Sequence, residues 1–160
     1  MQLGTTAEKL QAVGVETLAI VASKAERARF YFRYRPVRLA VGADPELITH
    51  RAYGVPQSGV TPEIMQAIQG VYRNLARELK LDVLDDQARE AIGRLDGFEV
   101  TESEKAEFQW HQVQFTGQFL VDRQGIVRWA NIECAQEGLA GIDKFPTDQE
   151  LLAAARALPA

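Results

Sequence analysis

Residues 116–133 constrain this chain most: Thr-Gly-Gln-Phe-Leu-Val-Asp-Arg-Gln-Gly-Ile-Val-Arg-Trp-Ala-Asn-Ile-Glu. An apolar run ending at Val121 meets the turn Asp122-Arg123-Gln124-Gly125, and a second run carries Ile126, Val127, Trp129 and Ile132. Two such runs around a polar, glycine-bearing turn predict a β-hairpin. Gly125 supplies the positive φ that a tight turn with a bulge requires, and the Asp122 carboxylate can accept hydrogen bonds from the turn's own backbone. Residues 148–158, rich in Ala and Leu, predict a closing helix. The chain therefore ends strand, strand, helix.

The first half supplies its own alternation. Residues 7–13 read as the end of a helix closed by Gly14. Residues 15–22, Val-Glu-Thr-Leu-Ala-Ile-Val-Ala, are almost continuously apolar, which predicts a strand covered on both faces. Ser23 with Glu26 three residues on predicts a capped helix that stops before Pro36. Residues 39–42 predict a second strand, and Asp44-Pro45 opens a helix over 46–53 with proline in its first turn. Strand, helix, strand at these lengths makes a parallel βαβ unit with a right-handed crossover.

Between these halves lies a helical stretch, residues 57–113, with no internal repeat. Thr61-Pro62 starts a helix in which Ile64, Ile68, Val71, Leu75 and Leu79 form one apolar stripe. Residues 85–95 predict a second helix ended by Asp96-Gly97, and Thr101 with Glu104 is a capping box for a third. Leaving large aliphatic side chains wet forfeits about 1.5–3 kcal/mol each, so the stripe must face something. It packs on its own domain, or it forms a dimer contact or a lid.

At 160 residues and 46% hydrophobic content the chain suits one domain spanning 1–160. A net charge of −4 provides no field for nucleic acid or an acidic membrane surface, so neither is expected as a partner. No apolar stretch approaches the roughly 20 residues that span a bilayer. The amino terminus, Met-Gln-Leu-Gly-Thr-Thr, lacks the basic and apolar regions of a secretory signal, and the expected address is cytoplasmic. Arg27, Arg29, Arg33, Arg35 and Arg38 interleave with Phe30, Tyr31, Phe32 and Tyr34. That pattern reads as an amphipathic helix with its aromatics inward and its arginines solvated.

Several segments resemble one family. These are the run from Phe119 to Arg128, the preceding Gly117, Val41-Gly42-Ala43-Asp44-Pro45, and Ala52-Tyr53-Gly54-Val55-Pro56. Together they resemble peroxiredoxin-like proteins of the alkyl hydroperoxide reductase and thiol-specific antioxidant branch, over residues 8–56 and 113–158. The resemblance implies a thioredoxin-like α/β fold: a mixed sheet with flanking helices, and residues 57–113 as a helical insertion. It also implies a redoxin, an antioxidant oxidoreductase that reduces peroxides with thiols and takes a thiol reductant as partner. In that chemistry a cysteine thiolate attacks the peroxide, becomes sulfenic acid and is reset by a thiol.

The family's nucleophile does not accompany these segments. Its cysteine ends a Pro-x-x-x-Thr/Ser-x-x-Cys run, yet here Pro36 is followed by Ala40 and Ala43, and Pro56 by Val60 and Glu63. Residues 5–13 resemble the tail of the family's first helix, so the N-terminal segment with the peroxidatic cysteine and the central strand is expected to be missing. The resulting gap would be filled by closure of the two halves, by a partner's strand, or by residues upstream of Met1 in the natural gene product. Thr116 stands where the family places an arginine beside the hairpin, and Gly117 stands where thioredoxins keep a cis-proline.

Cys134, the single thiol, is open to three readings: a structural, a resolving or a peroxidatic cysteine. The adjacent Glu133 raises a thiol pKa rather than lowering it. His50 and His111 have no Cys or carboxylate at ligand spacing. No catalytic, cofactor-binding or metal residue is therefore assigned, and no cofactor is expected. The expected function is that of a peroxiredoxin-like protein inactive as a peroxidase in this form. The alternative is a noncatalytic thioredoxin-fold binding module acting through residues 57–113, where a homodimer would also form.

Overall fold

The computed structural model describes residues 2–95, 97 and 101–159. Its elements run α1 (Gln2–Gln11), β1 (Leu18–Val21), α2 (Ala25–Tyr34), β2 (Ala40–Ala43), α3 (Ile48–Ala52), β3 (Gln57–Ser58) and α4 (Pro62–Glu78). There follow α5 (Ala88–Arg94), α6 (Glu102–His111), β4 (Val113–Gln114), β5 (Gly117–Val121), β6 (Val127–Ile132), a 3₁₀ turn (Gly138–Gly141) and α7 (Asp148–Arg156). Among the described residues this is a mixed α/β chain of seven α-helices and three separate two-stranded sheets. It forms two compact units, one from residues up to 56, 116–132 and 144 onward, the other from residues 57–115 and 133–143. Among the described residues, no helix is long and apolar enough to cross a membrane.

In the first unit, Gly14 closes α1. Its φ is +83°, its N–H donates to Gln11 O at 2.9 Å, and Val15 N–H donates to Leu10 O at 3.0 Å. Those paired bonds are a Schellman cap, which glycine adopts without a Cβ penalty. β1 and β2 pair in parallel from Leu18 opposite Ala40 to Val21 opposite Ala43, with α2 as the crossover. The expectation that the strand within residues 15–22 is covered on both faces is not met: no residue of β1 is buried, and Leu18 is 61% exposed; β2 has no buried residue either. Ala40, Gly42 and Ala43 offer a packing helix little apolar surface to hold.

Two helix starts also differ from expectation. α2 is capped by Lys24, not Ser23, because the chain turns sharply after β1 with Ser23 N–H donating to Val21 O at 2.8 Å. α3 starts at Ile48, beyond Pro45, because Leu47 takes a left-handed φ of +54°.

The hairpin forms as its sequence predicts. β5 and β6 pair antiparallel from Gly117 opposite Ile132 to Val121 opposite Val127, with a register shift between Leu120 and Val121 that marks the bulge. Gly125 has φ +79°. Leu120, 5% exposed, packs with Leu10 of α1 and with Leu151 and Ala155 of α7, Trp129 lying at the margin. Each large aliphatic side chain so buried contributes about 1.5–3 kcal/mol. Gly117 allows a close approach: a Cβ there would lie 2.7 Å from Phe119 Cε2 and 2.8 Å from Val55 Cγ2, so those side chains would have to shift to admit it. α7 is held at its start by a capping box, in which Thr147 Oγ1 accepts Glu150 N–H at 3.2 Å and the Glu150 carboxylate accepts Thr147 N–H at 2.8 Å.

In the second unit, Thr61 Oγ1 accepts Ile64 N–H at 3.3 Å and Pro62 occupies the first turn of α4. Ile64, Val113 and Phe115 form the core, with Ile68, Cys134 and Ile142 around it. Burial declines along the α4 stripe, from Ile64 at 5% exposed to Leu75 at 36% and Leu79 at 46%. The stripe thus serves its own unit at one end and faces outward at the other. α5 starts at Ala88 rather than residue 85, and Asp85 in the preceding turn pairs with Arg73 at 3.3 Å. Asp96, expected to end α5, and the Glu104 side chain of the expected capping box lie outside the described residues.

Candidate functional site

Three groups of titratable side chains merit comparison as sites. The first is the hairpin turn. Asp122 Oδ1 accepts the N–H groups of Gln124 and Ile126, both at 2.9 Å, and Oδ2 accepts Arg128 Nε at 2.6 Å. The Ile126 N–H, aided by Arg128 and the Gln124 N–H, outweighs burial and holds the carboxyl below its ordinary value. With three hydrogen bonds tying it to the turn and to β6, this carboxylate is a structural clasp. Arg128 Nε is engaged in the same clasp.

The second group was not legible as a pair in the sequence. Asp44, at the end of β2, accepts Ile48 N–H at 2.8 Å and His50 N–H at 3.1 Å, and lies 2.8 Å from His50 Nδ1. An ionised carboxylate can only accept, so Nδ1 carries the proton. Burial alone would raise the Asp44 carboxyl, but the His50 ring and the two backbone N–H groups bring it below its ordinary value. The arrangement orients an imidazole as an acid–base pair does. Among the described residues, however, no hydroxyl or thiol is hydrogen-bonded to the other ring nitrogen of His50. Orientation is present and a nucleophile is not. A strand-ending Asp followed by a helix start was the available signal, since such a residue can reach forward to orphan N–H groups.

The third group surrounds Cys134. This half-buried thiol sits on a left-handed backbone, φ +64°, against the core of the second unit. Burial first, and the Glu133 carboxylate second, push the thiol pKa up. The same neighbourhood raises Asp143, through burial, then Glu133 and Glu78, while Asp143 N–H donates to Glu133 Oε1 at 2.9 Å. A nucleophilic thiolate needs the opposite electrostatics.

The remaining sequence candidates fall apart spatially or take structural roles. His50 belongs to the first unit and His111 to the second. His111 is buried, its ring stacks on Trp110 at 4.5 Å between centroids, and its backbone O accepts Gln57 Nε2 at 2.6 Å. Among the described residues, no three His, Cys, Asp or Glu side chains are grouped so as to hold a metal ion. The α2 aromatics depart from expectation: none of Phe30, Tyr31, Phe32 and Tyr34 is buried, and Tyr31 and Tyr34 are 37% and 41% exposed. Ala28 is the only buried residue of α2, so the face turned inward is too narrow to take four rings. Arg35 instead stacks over Tyr31 at 4.6 Å.

Comparison with family models, with curated proteins and with solved structures finds no match to this chain. The class that fold and sites define is a mixed α/β protein of two compact units.

Proposed function

We propose that this chain is a peroxiredoxin-like protein of thioredoxin type, related to antioxidant oxidoreductases, and that in this form it does not reduce peroxides. Support for the family reading comes from how the segments group. Most of residues 8–56 and 113–158, which carry the resemblance, lie in the first unit with the parallel pair, the hairpin and the closing helix, while 57–113 lies in the second.

One observation carries the functional reading: the single thiol, Cys134, is pushed away from thiolate by burial and by Glu133. Peroxide reduction by this route starts with thiolate attack on an oxygen, and these surroundings disfavour the thiolate. Peroxide consumption should be measured with a dithiol reductant, for the wild type and Cys134→Ser. The expected result is no difference between them. Turnover that disappears in Cys134→Ser overturns the reading.

A second reading has its own observation. The outward end of the α4 stripe, Leu75 and Leu79, with Leu84 at 67% exposed, leaves apolar surface on the second unit that fits a noncatalytic binding module or a homodimer. Sedimentation of the wild type against Leu75→Lys with Leu79→Lys tests it, a monomer in both cases removing the dimer.

A further inference from the structure

We propose that the cleft between α2 and β2 is a docking site for an acidic protein segment that inserts an apolar side chain. The cleft has a volume of about 290 Å³ and is open on its solvent side. Ala28, Phe32, Val37, Val41 and Ala43 line it, with Arg29 at its edge. Its origin is local: small side chains at Ala25 and Ala28 of the helix oppose Ala43 of the strand, and Phe32 and Val41 do not fill the space between. The cleft thus leaves apolar side chains in contact with solvent, and covering them on binding is favourable.

Charge identifies the occupant. Lys24, Arg27, Arg29, Arg33, Arg35 and Arg38 stand against Glu26 alone, in a chain whose net charge is −4. Arg29, Arg33 and Arg38 are exposed and have no ion pair among the described residues. Arg29 and Arg33 are one helical turn apart and so share an edge. A cleft at the lower end of the ~300–1,000 Å³ range of ligand pockets and open along one side accommodates an anchoring side chain of a longer segment. The flanking guanidinium groups then take carboxylates, bidentately where geometry allows. A polyphosphate chain suits the site less, because it brings no apolar group to the side chains of Ala28, Phe32, Val37 and Val41.

The test is fluorescence polarisation with a short labelled peptide alternating Glu with Leu and Phe. Controls are the same peptide with Ser for the apolar residues, the same peptide with Lys for Glu, and oligodeoxythymidylate. Ala25→Phe, at an exposed position lining the cleft, and the double change Arg29→Glu with Arg33→Glu should each weaken binding by about tenfold or more. The Lys-containing peptide should prefer the doubly reversed variant. Backbone amide shifts should change over residues 25–43. Failure of the acidic peptide to bind, unaltered affinity in the reversed variant, or equal binding of the Ser-containing peptide or oligodeoxythymidylate overturns the proposal. If Ala25→Phe loses its circular dichroism, the arginine variant, altered only at exposed positions, decides the outcome.

Discussion

Asp122 and Asp143 are the same chemical group in adjoining stretches of chain, and the protein treats them oppositely. In the hairpin, two backbone N–H groups and Arg128 converge on Asp122, so the ionised form is favoured. In the stretch after β6, burial first and the Glu133 carboxylate second make Asp143 and Cys134 resist ionisation. The difference teaches that burial and the local supply of donors, not residue type, set the character of each region. One region is a clasp built for anions. The other suppresses them.

Four measurements would break or sharpen this contrast. The largest effect is expected at the hairpin core: Leu120→Ala should cost about 2–5 kcal/mol in urea unfolding, against about 1 kcal/mol or less for Cys134→Ala at its half-buried site. Equal losses would show the stretch after β6 to be as structural as the hairpin. Next, Gly125→Ala places a Cβ on a φ of +79° and should cost about 1–2 kcal/mol, read as a fall in melting temperature.

The third measurement follows melting temperature against pH. Because the folded Asp122 carboxyl is lowered, its contribution is complete above the ordinary carboxylate value and is lost as pH falls through the folded value. Asp122→Asn should therefore reduce stability at neutral pH and flatten the acid limb. Asp143 is raised, so its sign is reversed: the folded state loses stability as pH rises from the ordinary value through the folded one. Asp143→Asn should raise the melting temperature at neutral pH and change little in acid. A fall at neutral pH would contradict the suppression of the Asp143 anion assigned to this stretch.

The smallest effect is kinetic. Glu133→Gln should speed alkylation of Cys134 at neutral pH a few-fold and move the rate profile to lower pH, since the larger cause, burial, remains. An unchanged profile would assign the suppression to burial alone.

Much of the fold was legible because its signals are short-range. The hairpin, the Gly14 cap and the Thr61-Pro62 helix start each depend on a few neighbouring residues, and each appears where the sequence places it. Ser23 and Pro45 misled because a sharp turn after β1 and a left-handed Leu47 displaced the helix starts by one or two residues. At Cys134 the sequence supplied the adjacent Glu133 and hence the direction of the shift. It did not supply burial, which is the larger cause and comes from packing against the Ile64, Val113 and Phe115 core.

What the sequence determined by itself was turn chemistry, capping, helix periodicity and net charge, because these act within a few residues or simply add along the chain. Tertiary structure alone decided that the α4 stripe is covered at one end only and that the α2 rings remain unburied. Those outcomes depend on which surfaces reach one another, and for burial the reach spans residues distant in the chain. Periodicity can mark a face as apolar, but only packing chooses whether anything covers it.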